Sequence, residues 1–299
     1  MIARLILAAV MAALLSQPAM ARKGRSVPAD TVQGVVIEPA DDNSAVSGTL
    51  DGITATLQGR AESDETTTPV FTIRDASGTA LEFEGEPSFY SFLPVTLRLV
   101  HLDPATPEPE VVATSYTGGA HCCDRIQVAA IQPDGSWDMS EMGFFDGGYG
   151  VADEDGDGVG EIRVADQSFL YTFDCYACSA PPPLFYRVVN GQPVDVSADP
   201  AFGPAFNAEF SRFGAPIEMV SEPGRLAGWV ALNARIGLAE DALDTVVAVN
   251  GGEGFTYDVC STGGSSFECA QENIRQVGFV EFLRSHLIER GYMQRAGKG

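Results

Sequence analysis

Short runs of β-forming residues, each ended by a turn signal, fill the first two thirds of this chain of 299 residues. Asn190-Gly191 lies between two apolar runs and has the residues that a tight hairpin turn requires. Such spacing is typical of antiparallel sheets. We therefore predict a mainly β domain over residues 31–200, arranged as a partial propeller or as a sandwich. The predicted strands are Thr31–Ile37, Ile53–Leu57, Val70–Arg74, Val95–His101, Val111–Tyr116, Ile126–Ile131, Ile162–Ala165, Phe169–Phe173 and Phe185–Val189.

Near residue 200 the pattern changes to apolar residues at helical spacing. Each apolar stripe is typical of a helix that buries one face in a protein core. The sequence therefore predicts a small α-helical domain over residues 201–299. The predicted helical segments are Ala205–Phe213, Glu222–Ile236, Leu238–Val249 and Gln271–Arg290.

The N-terminus has the features of a cleaved export signal. Leu5 to Leu15 form an apolar stretch, and Ala19-Met20-Ala21 is the pattern of small residues that precedes cleavage. A membrane-spanning helix would need roughly 20 apolar residues. We predict a signal peptide over residues 1–21 that is cleaved before Arg22, then a flexible leader over residues 22–30. The mature protein is expected to be periplasmic or secreted and to have no membrane span.

The composition is strongly acidic, with 18 Lys+Arg against 41 Asp+Glu and a formal net charge of −23. Nucleic acids and anionic membranes are bound through Lys and Arg, so this balance excludes them as partners. The hydrophobic content of 45% is that of a folded protein and not of a disordered acidic one.

The most informative stretch is an acidic, glycine-containing run that begins at Asp153 and ends at Glu161. Carboxylates lie at positions 1, 3, 5 and 9 of this run, and Ca²⁺ prefers six to eight oxygen ligands. The loop is not an EF-hand, because Val164 stands where a bidentate Glu is needed and a β run follows. We predict calcium as the cofactor; a solvated acidic turn without metal is the alternative. The predicted ligands are Asp153, Asp155, Asp157, the backbone carbonyl of Val159, and Glu161.

This loop and the run that follows it, residues 153–165, resemble the calcium loops of FG-GAP and VCBS-type β repeats. The resemblance implies a structural calcium ion held between the strands of a blade-like unit. A faint internal repeat is consistent with such units, since Glu110 and Glu161 lie 51 residues apart in similar surroundings. The earlier loop, which begins at Asp103, lacks the middle carboxylates, and we expect no metal there.

The six cysteines form three groups, and an even number in an exported protein favours three disulfides. Cys260 and Cys269 flank a Gly/Ser-rich loop that a disulfide would close. Adjacent cysteines rarely bond each other, so we expect Cys122 and Cys123 to bond Cys175 and Cys178, in either pairing. A redox-active Cys175-x-x-Cys178 and a zinc or copper site of reduced thiolates are the alternatives.

Gly118-Gly119-Ala120-His121 precedes the first cysteine pair, and we interpret Gly118, Gly119 and His121 as a candidate ligand site. The double glycine would let backbone approach a ligand or another strand, or would form a bulge. This stretch, with the Asp-rich loop and the helical tail, resembles exported proteobacterial proteins, and the resemblance implies no activity.

Hydrolytic machinery is not evident from the sequence. The motifs of zinc metalloproteases and α/β-hydrolases are absent, and a Ser-His-Asp triad would have to use His101, His121 or His286. His286 falls in the last predicted helix, where we expect it at the surface or near the helix end.

We expect a binding or envelope-structural protein rather than an enzyme, with a small molecule, a glycan or an envelope protein as its partner. Two alternatives stay open. One is a secreted hydrolase with a site near His121 and Asp146–Asp166, where carboxylates and aromatic residues are dense. The other is a periplasmic thiol–disulfide protein that uses Cys175 and Cys178.

Overall fold

The structure is a computed structural model that describes residues 32, 34–41, 43–63, 66–78, 80–87, 94–119, 122–263 and 268–294. The predicted signal peptide and leader, and also His121, lie outside these residues. The strands are β1 (Gly34–Ile37), β2 (Val46–Leu50), β3 (Ile53–Ala61), β4 (Thr67–Arg74), β5 (Ala80–Glu84), β6 (Val95–Val100), β7 (Glu110–Tyr116), β8 (Asp124–Ile131), β9 (Trp137–Phe145), β10 (Gly150–Ala152), β11 (Glu161–Ala165), β12 (Pro183–Val189), β13 (Gln192–Asp195), β14 (Thr256–Cys260) and β15 (Ile274–Gly278). The helices are α1 (Gly203–Glu209), α2 (Pro223–Arg235), α3 (Ala239–Ala248) and α4 (Phe279–Glu289).

Three antiparallel sheets follow one another along the chain. The first sheet has the strand order β2-β3-β4-β5, the central sheet β1-β6-β7-β8-β9, and the third sheet β10-β11-β12-β13. Each contains four consecutive strands joined in an up-and-down meander, and β14 pairs with β15 as a separate hairpin. The predicted fold class, mainly antiparallel β followed by helices, is confirmed.

The central sheet is buried on both faces. Because side chains alternate between the two faces of a strand, consecutive residues pack against different neighbouring sheets. Leu99 and Val111 share one apolar cluster with Phe71 of the first sheet. Val112 shares another with Ile162 of the third sheet. The three sheets therefore lie in consecutive layers.

Helices cover the opposite face of the third sheet. Phe185 of β12 is fully buried, and its ring stacks on that of Phe202 with 4.8 Å between centroids. Phe206 of α1 and Leu232 of α2 belong to the same cluster. Burial of one phenylalanine side chain contributes about 1.5–3 kcal/mol, so this aromatic cluster holds the helical layer on the sheet.

The predicted strand Phe169–Phe173 is wrong. It begins within a 3₁₀ turn, because the Asp166 carboxylate caps that turn by accepting the Ser168 N–H at 2.9 Å. Tyr171 then has a φ of 59°, which an extended strand does not allow. The rings of Phe169 and Phe173 enter the core formed by α2, α3 and α4.

The predicted helix Gln271–Arg290 is shorter than expected. Ile274–Gly278 pairs with β14 as an antiparallel strand, and α4 begins only at Phe279. Hairpin pairing supplies hydrogen bonds that override the helical spacing of these few residues. In the described part of the chain, no helix has both the length and the apolar composition needed to cross a bilayer.

The central and third sheets meet at two loops. The Gly160 N–H donates to the His101 carbonyl at 3.2 Å, and the Val188 N–H donates to the Leu102 carbonyl at 3.3 Å. A Cβ on Gly160 would lie 3.3 Å from the His101 oxygen and 3.2 Å from Val32, so glycine permits this close approach. The acidic loop after β10 is thereby placed at the junction of two sheets.

Candidate functional site

The acidic loop connects β10 to β11 and brings three of the five predicted ligands together. One carboxylate oxygen each from Asp153, Asp155 and Glu161 lie within 4.8 Å of one another. The carboxylate of Asp157 instead accepts the Val159 N–H at 2.9 Å. The loop therefore has three convergent oxygen donors of the kind that hard cations prefer.

Backbone N–H groups wrap the loop around Asp153. Its carboxylate accepts the Gly156 N–H at 2.7 Å and the Gly158 N–H at 3.0 Å. Both glycines have a positive φ, 84° and 91°, which other residues adopt only with strain. The local sequence therefore fixes the conformation of the loop.

Glu161 is the most deeply buried of these acids. Its side chain has no exposed surface, and its Oε2 accepts the Glu154 N–H at 2.8 Å. Burial raises the pKa of Glu161 to about 7. The other oxygen, Oε1, accepts the Arg187 Nε–H at 2.5 Å.

Arg187 of β12 contacts the loop, and the sequence analysis did not identify it. Its Nη2 lies 2.9 Å from Asp155 Oδ2 and 2.7 Å from Asp157 Oδ2, in addition to the contact with Glu161. One guanidinium therefore offsets part of the charge of the three loop carboxylates that it contacts. An arginine in the otherwise apolar run Phe185–Val189 was the only sequence signal for it.

The cysteines pair within their groups and not between them. Cys175 bonds Cys178 with 5.0 Å between Cα atoms, and Cys260 bonds Cys269 with 5.7 Å. Cys122 and Cys123 bond each other. The Cys260–Cys269 disulfide matches the prediction, whereas the expected bonds from Cys122 and Cys123 to Cys175 and Cys178 are wrong.

The double glycine lies in the connection between β7 and β8. Tyr116 donates its hydroxyl to the Gly119 carbonyl at 2.6 Å, and the Cys123 N–H donates to Thr117 Oγ1 at 2.9 Å. A Cβ on Gly119 would lie 2.1 Å from the Cys122 carbonyl, and Gly118 has a φ of 86°. Both glycines are therefore required by the loop itself. His121, the third member of the predicted ligand site, lies outside the described residues.

The two N-terminal cysteine groups nevertheless flank one acidic cluster. Asp124 directly follows Cys123 and pairs with Phe145, next to Asp146. The Tyr176 hydroxyl, between Cys175 and Cys178, donates to Asp146 Oδ1 at 2.5 Å. Burial and the neighbouring Asp146 carboxylate raise the pKa of Asp124.

His286 is buried, contrary to the expectation for the last helix. Its Nε2 lies 3.2 Å from Ser168 Oγ, and the rings of Phe169 and Phe173 meet it edge to face at 4.8 and 5.2 Å. Tyr292 donates its hydroxyl to Asp166 Oδ2 at 2.8 Å beside this pair. The imidazole therefore connects the segment after β11 to α4.

Comparison with known proteins shows the family. The chain is 30% identical over 282 residues to the "Probable thylakoid lumen protein sll0997" of Synechocystis sp., in an alignment that covers 89% of this chain and 81% of the relative. The chain belongs to the sll0997 family. Residues 213–291 match the family model described as the sll0997 C-terminal domain.

A second relative is the "Uncharacterized protein y4bJ" of Sinorhizobium fredii, 33% identical over 236 residues. The alignment covers 75% of this chain and only 37% of that protein, so the chain spans well under half of its length. No solved structure matches the chain.

His286 makes the stability depend on pH. Burial and, to a lesser extent, the nearby Arg290 lower its pKa to about 4, although Asp166 and Glu289 act in the opposite direction. An unfolded histidine has a pKa of about 6.5. Between these values the unfolded state binds more protons, so the contribution is complete above about pH 6.5 and is lost as the pH falls toward 4.

We predict that His286→Gln removes this part of the acid sensitivity. Between pH 7.5 and pH 4.5 the free energy of unfolding, measured in urea, should fall by about 2 kcal/mol more for the wild type than for the variant. His101→Gln is the matched control, because the His101 side chain is partly exposed and pairs with Asp51 at 2.9 Å. Equal losses for the wild type and His286→Gln would contradict the prediction.

Proposed function

We propose that the chain is an exported, disulfide-bonded binding protein, stabilised by a calcium ion held in the Asp153–Glu161 loop. Export is supported by the N-terminal sequence and by the lumenal location stated in the name of the Synechocystis relative. Disulfides within three cysteine groups suit an oxidising compartment.

The convergence of Asp153, Asp155 and Glu161 within 4.8 Å carries the calcium proposal. Like charges about 4 Å apart repel by roughly 4 kcal/mol at the effective dielectric constant near a protein surface. Arg187 contacts three of the five loop carboxylates and Arg163 contacts Glu154, so two positive charges leave an acidic excess in the loop. A divalent cation would remove this excess and hold β10, β11 and β12 together.

The resemblance to FG-GAP and VCBS-type loops belongs to the same proposal. Those loops hold calcium in blade-like units, and here the Asp-rich loop joins two strands of a four-stranded meander. The role of such an ion is structural, because it would be held by the loop that joins the paired strands β10 and β11.

We place ligand binding on the surface beside the first two cysteine groups. Tyr171 is 64% exposed, and its ring lies 5.5 Å from that of Tyr176. Amphipathic rings with adjacent carboxylates suit a small molecule, a glycan or a protein of the cell envelope.

Calcium should raise the melting temperature of the purified chain by about 5 °C relative to EGTA, since an ion at 100 times its Kd contributes about 2.7 kcal/mol. In the double variant Asp155→Asn/Asp157→Asn this difference should be clearly smaller than in the wild type, because the loop loses two carboxylates. The measurement is a thermal melt followed by circular dichroism.

The matched control is Asp134→Asn/Asp138→Asn, which removes the same charge from two exposed aspartates of the β8–β9 region. It should keep the full response to calcium. If the wild type melts at one temperature in EGTA and in calcium, Arg187 alone balances the loop and the calcium proposal is wrong.

Thiol–disulfide exchange at Cys175 and Cys178 is the second candidate function, favoured by the exposure of both residues. Against it, the Asp174 carboxylate accepts the Cys175 N–H at 2.8 Å and lies beside the sulfurs, where negative charge disfavours a thiolate.

Free thiols released by mild reductant decide between the two functions. We expect none from Cys175 and Cys178 under conditions that reduce a thioredoxin-like dithiol. Free thiols present at the start are first alkylated, the protein is then treated with the mild reductant, and the thiols that appear are counted with a thiol reagent. Cys175→Ser/Cys178→Ser is the control. Release of two thiols that the control lacks would favour the redox function.

A further inference from the structure

The loop between β6 and β7 contains two buried carboxylates that face no basic side chain. Asp103 is 4% exposed and Glu110 is 2% exposed. No arginine or histidine of the described residues forms an ion pair with either. Buried charges are normally paired or bound to metal, so this pair requires a neutralising partner.

One oxygen of the pair has no partner at all. Asp103 Oδ1 accepts the Ala105 N–H at 2.8 Å, whereas Asp103 Oδ2 is buried and has no hydrogen-bond donor among the described residues. Leaving a carboxylate oxygen unsatisfied in a protein interior is costly. A cation is the partner that such an oxygen lacks.

The rest of the loop is built like the Asp153–Glu161 loop. Glu110 and Glu161 each begin a strand, and each accepts the N–H of the residue seven positions earlier, Asp103 at 3.2 Å and Glu154 at 2.8 Å. Glu110 also accepts the Leu102 N–H at 2.6 Å. The difference is that Arg187 reaches Glu161, whereas no arginine in the described part of the chain forms an ion pair with Glu110.

We propose that the Asp103–Glu110 loop binds a calcium ion of its own. Two carboxylates balance one divalent charge, and Thr106 Oγ1, 3.3 Å from Glu110 Oε1, offers a further hard oxygen. Pro104 and Ala105 are exposed, so the ion has access from solvent and water can complete its coordination. Mg²⁺ suits the loop less, because it retains most of its water and this pair is buried.

This site is independent of the one in the proposed function, although the two loops adjoin through the Gly160–His101 hydrogen bond. Each site is therefore expected to bind calcium when the other is removed. The proposal also replaces the expectation that the earlier loop has no metal. That loop has fewer carboxylates than the Asp153–Glu161 loop, but because they are buried they need a neutralising cation more.

Calcium stoichiometry tests the proposal. After removal of metal with EGTA, equilibrium dialysis of the full chain against calcium should find two ions per wild-type chain and one per Asp103→Asn chain. The matched control Asp134→Asn changes an exposed aspartate that also accepts an N–H two residues later, and it should keep two ions. Magnesium in place of calcium should not fill the site.

The possible results separate the two sites. One ion that is lost in Asp155→Asn/Asp157→Asn and kept in Asp103→Asn would overturn this proposal and support the first site alone. One ion that is lost only in Asp103→Asn would support this site and overturn the other. No bound ion would overturn both and leave a proton as the partner of the pair.

Folding of the variant is checked by circular dichroism. If Asp103→Asn does not fold, Glu110→Gln replaces it, because the amide oxygen still accepts the Leu102 N–H while the charge is gone. Glu110→Gln that binds two ions would overturn the proposal, and one ion would support it.

Discussion

Burial of the central sheet on both faces is the constraint on which the rest of the structure depends. Strands β7 and β8 are buried along most of their length, so neither face can be left to solvent. The first sheet covers one face and the third sheet covers the other. The third sheet then presents Phe185 outward, and the helices are needed to bury it. The order of layers therefore follows from the apolar pattern of a few strands.

Polar groups concentrate where the layers meet. The loops that contain Glu110 and Glu161 adjoin at the junction of the central and third sheets, and each glutamate accepts backbone N–H groups that its loop would otherwise leave unpaired. This arrangement satisfies the backbone and introduces buried negative charge. Arg187 offsets the charge in one loop only. Part of the negative charge of the chain is therefore concentrated at this junction, where it has to be balanced locally.

Local signals in the sequence predicted the structural features that depend on residues close together in the chain. Short β-forming runs between turn residues located eight of the fifteen described strands, and the spacing of Asp153, Asp155 and Glu161 predicted carboxylates that do converge. Such local signals could not identify contacts between residues that are far apart in the sequence. Arg187 lies 26 positions from Glu161, and His286 lies 118 positions from Ser168, so no local pattern connects them.

The pairing of the cysteines was also not predictable from the sequence. Their spacing favoured disulfides, and the low frequency of bonds between adjacent cysteines argued for links between distant groups. The pairing within each group depends on the turns at Cys122 and Cys175, which general frequencies do not describe.

Crystals of the full chain grown in calcium, with anomalous diffraction recorded near the calcium edge, test the account most directly. It predicts an anomalous peak 2.3–2.6 Å from oxygens of Asp153, Asp155 and Glu161. Absence of that peak at saturating calcium, with Arg187 still bonded to Asp155 and Glu161, would contradict it.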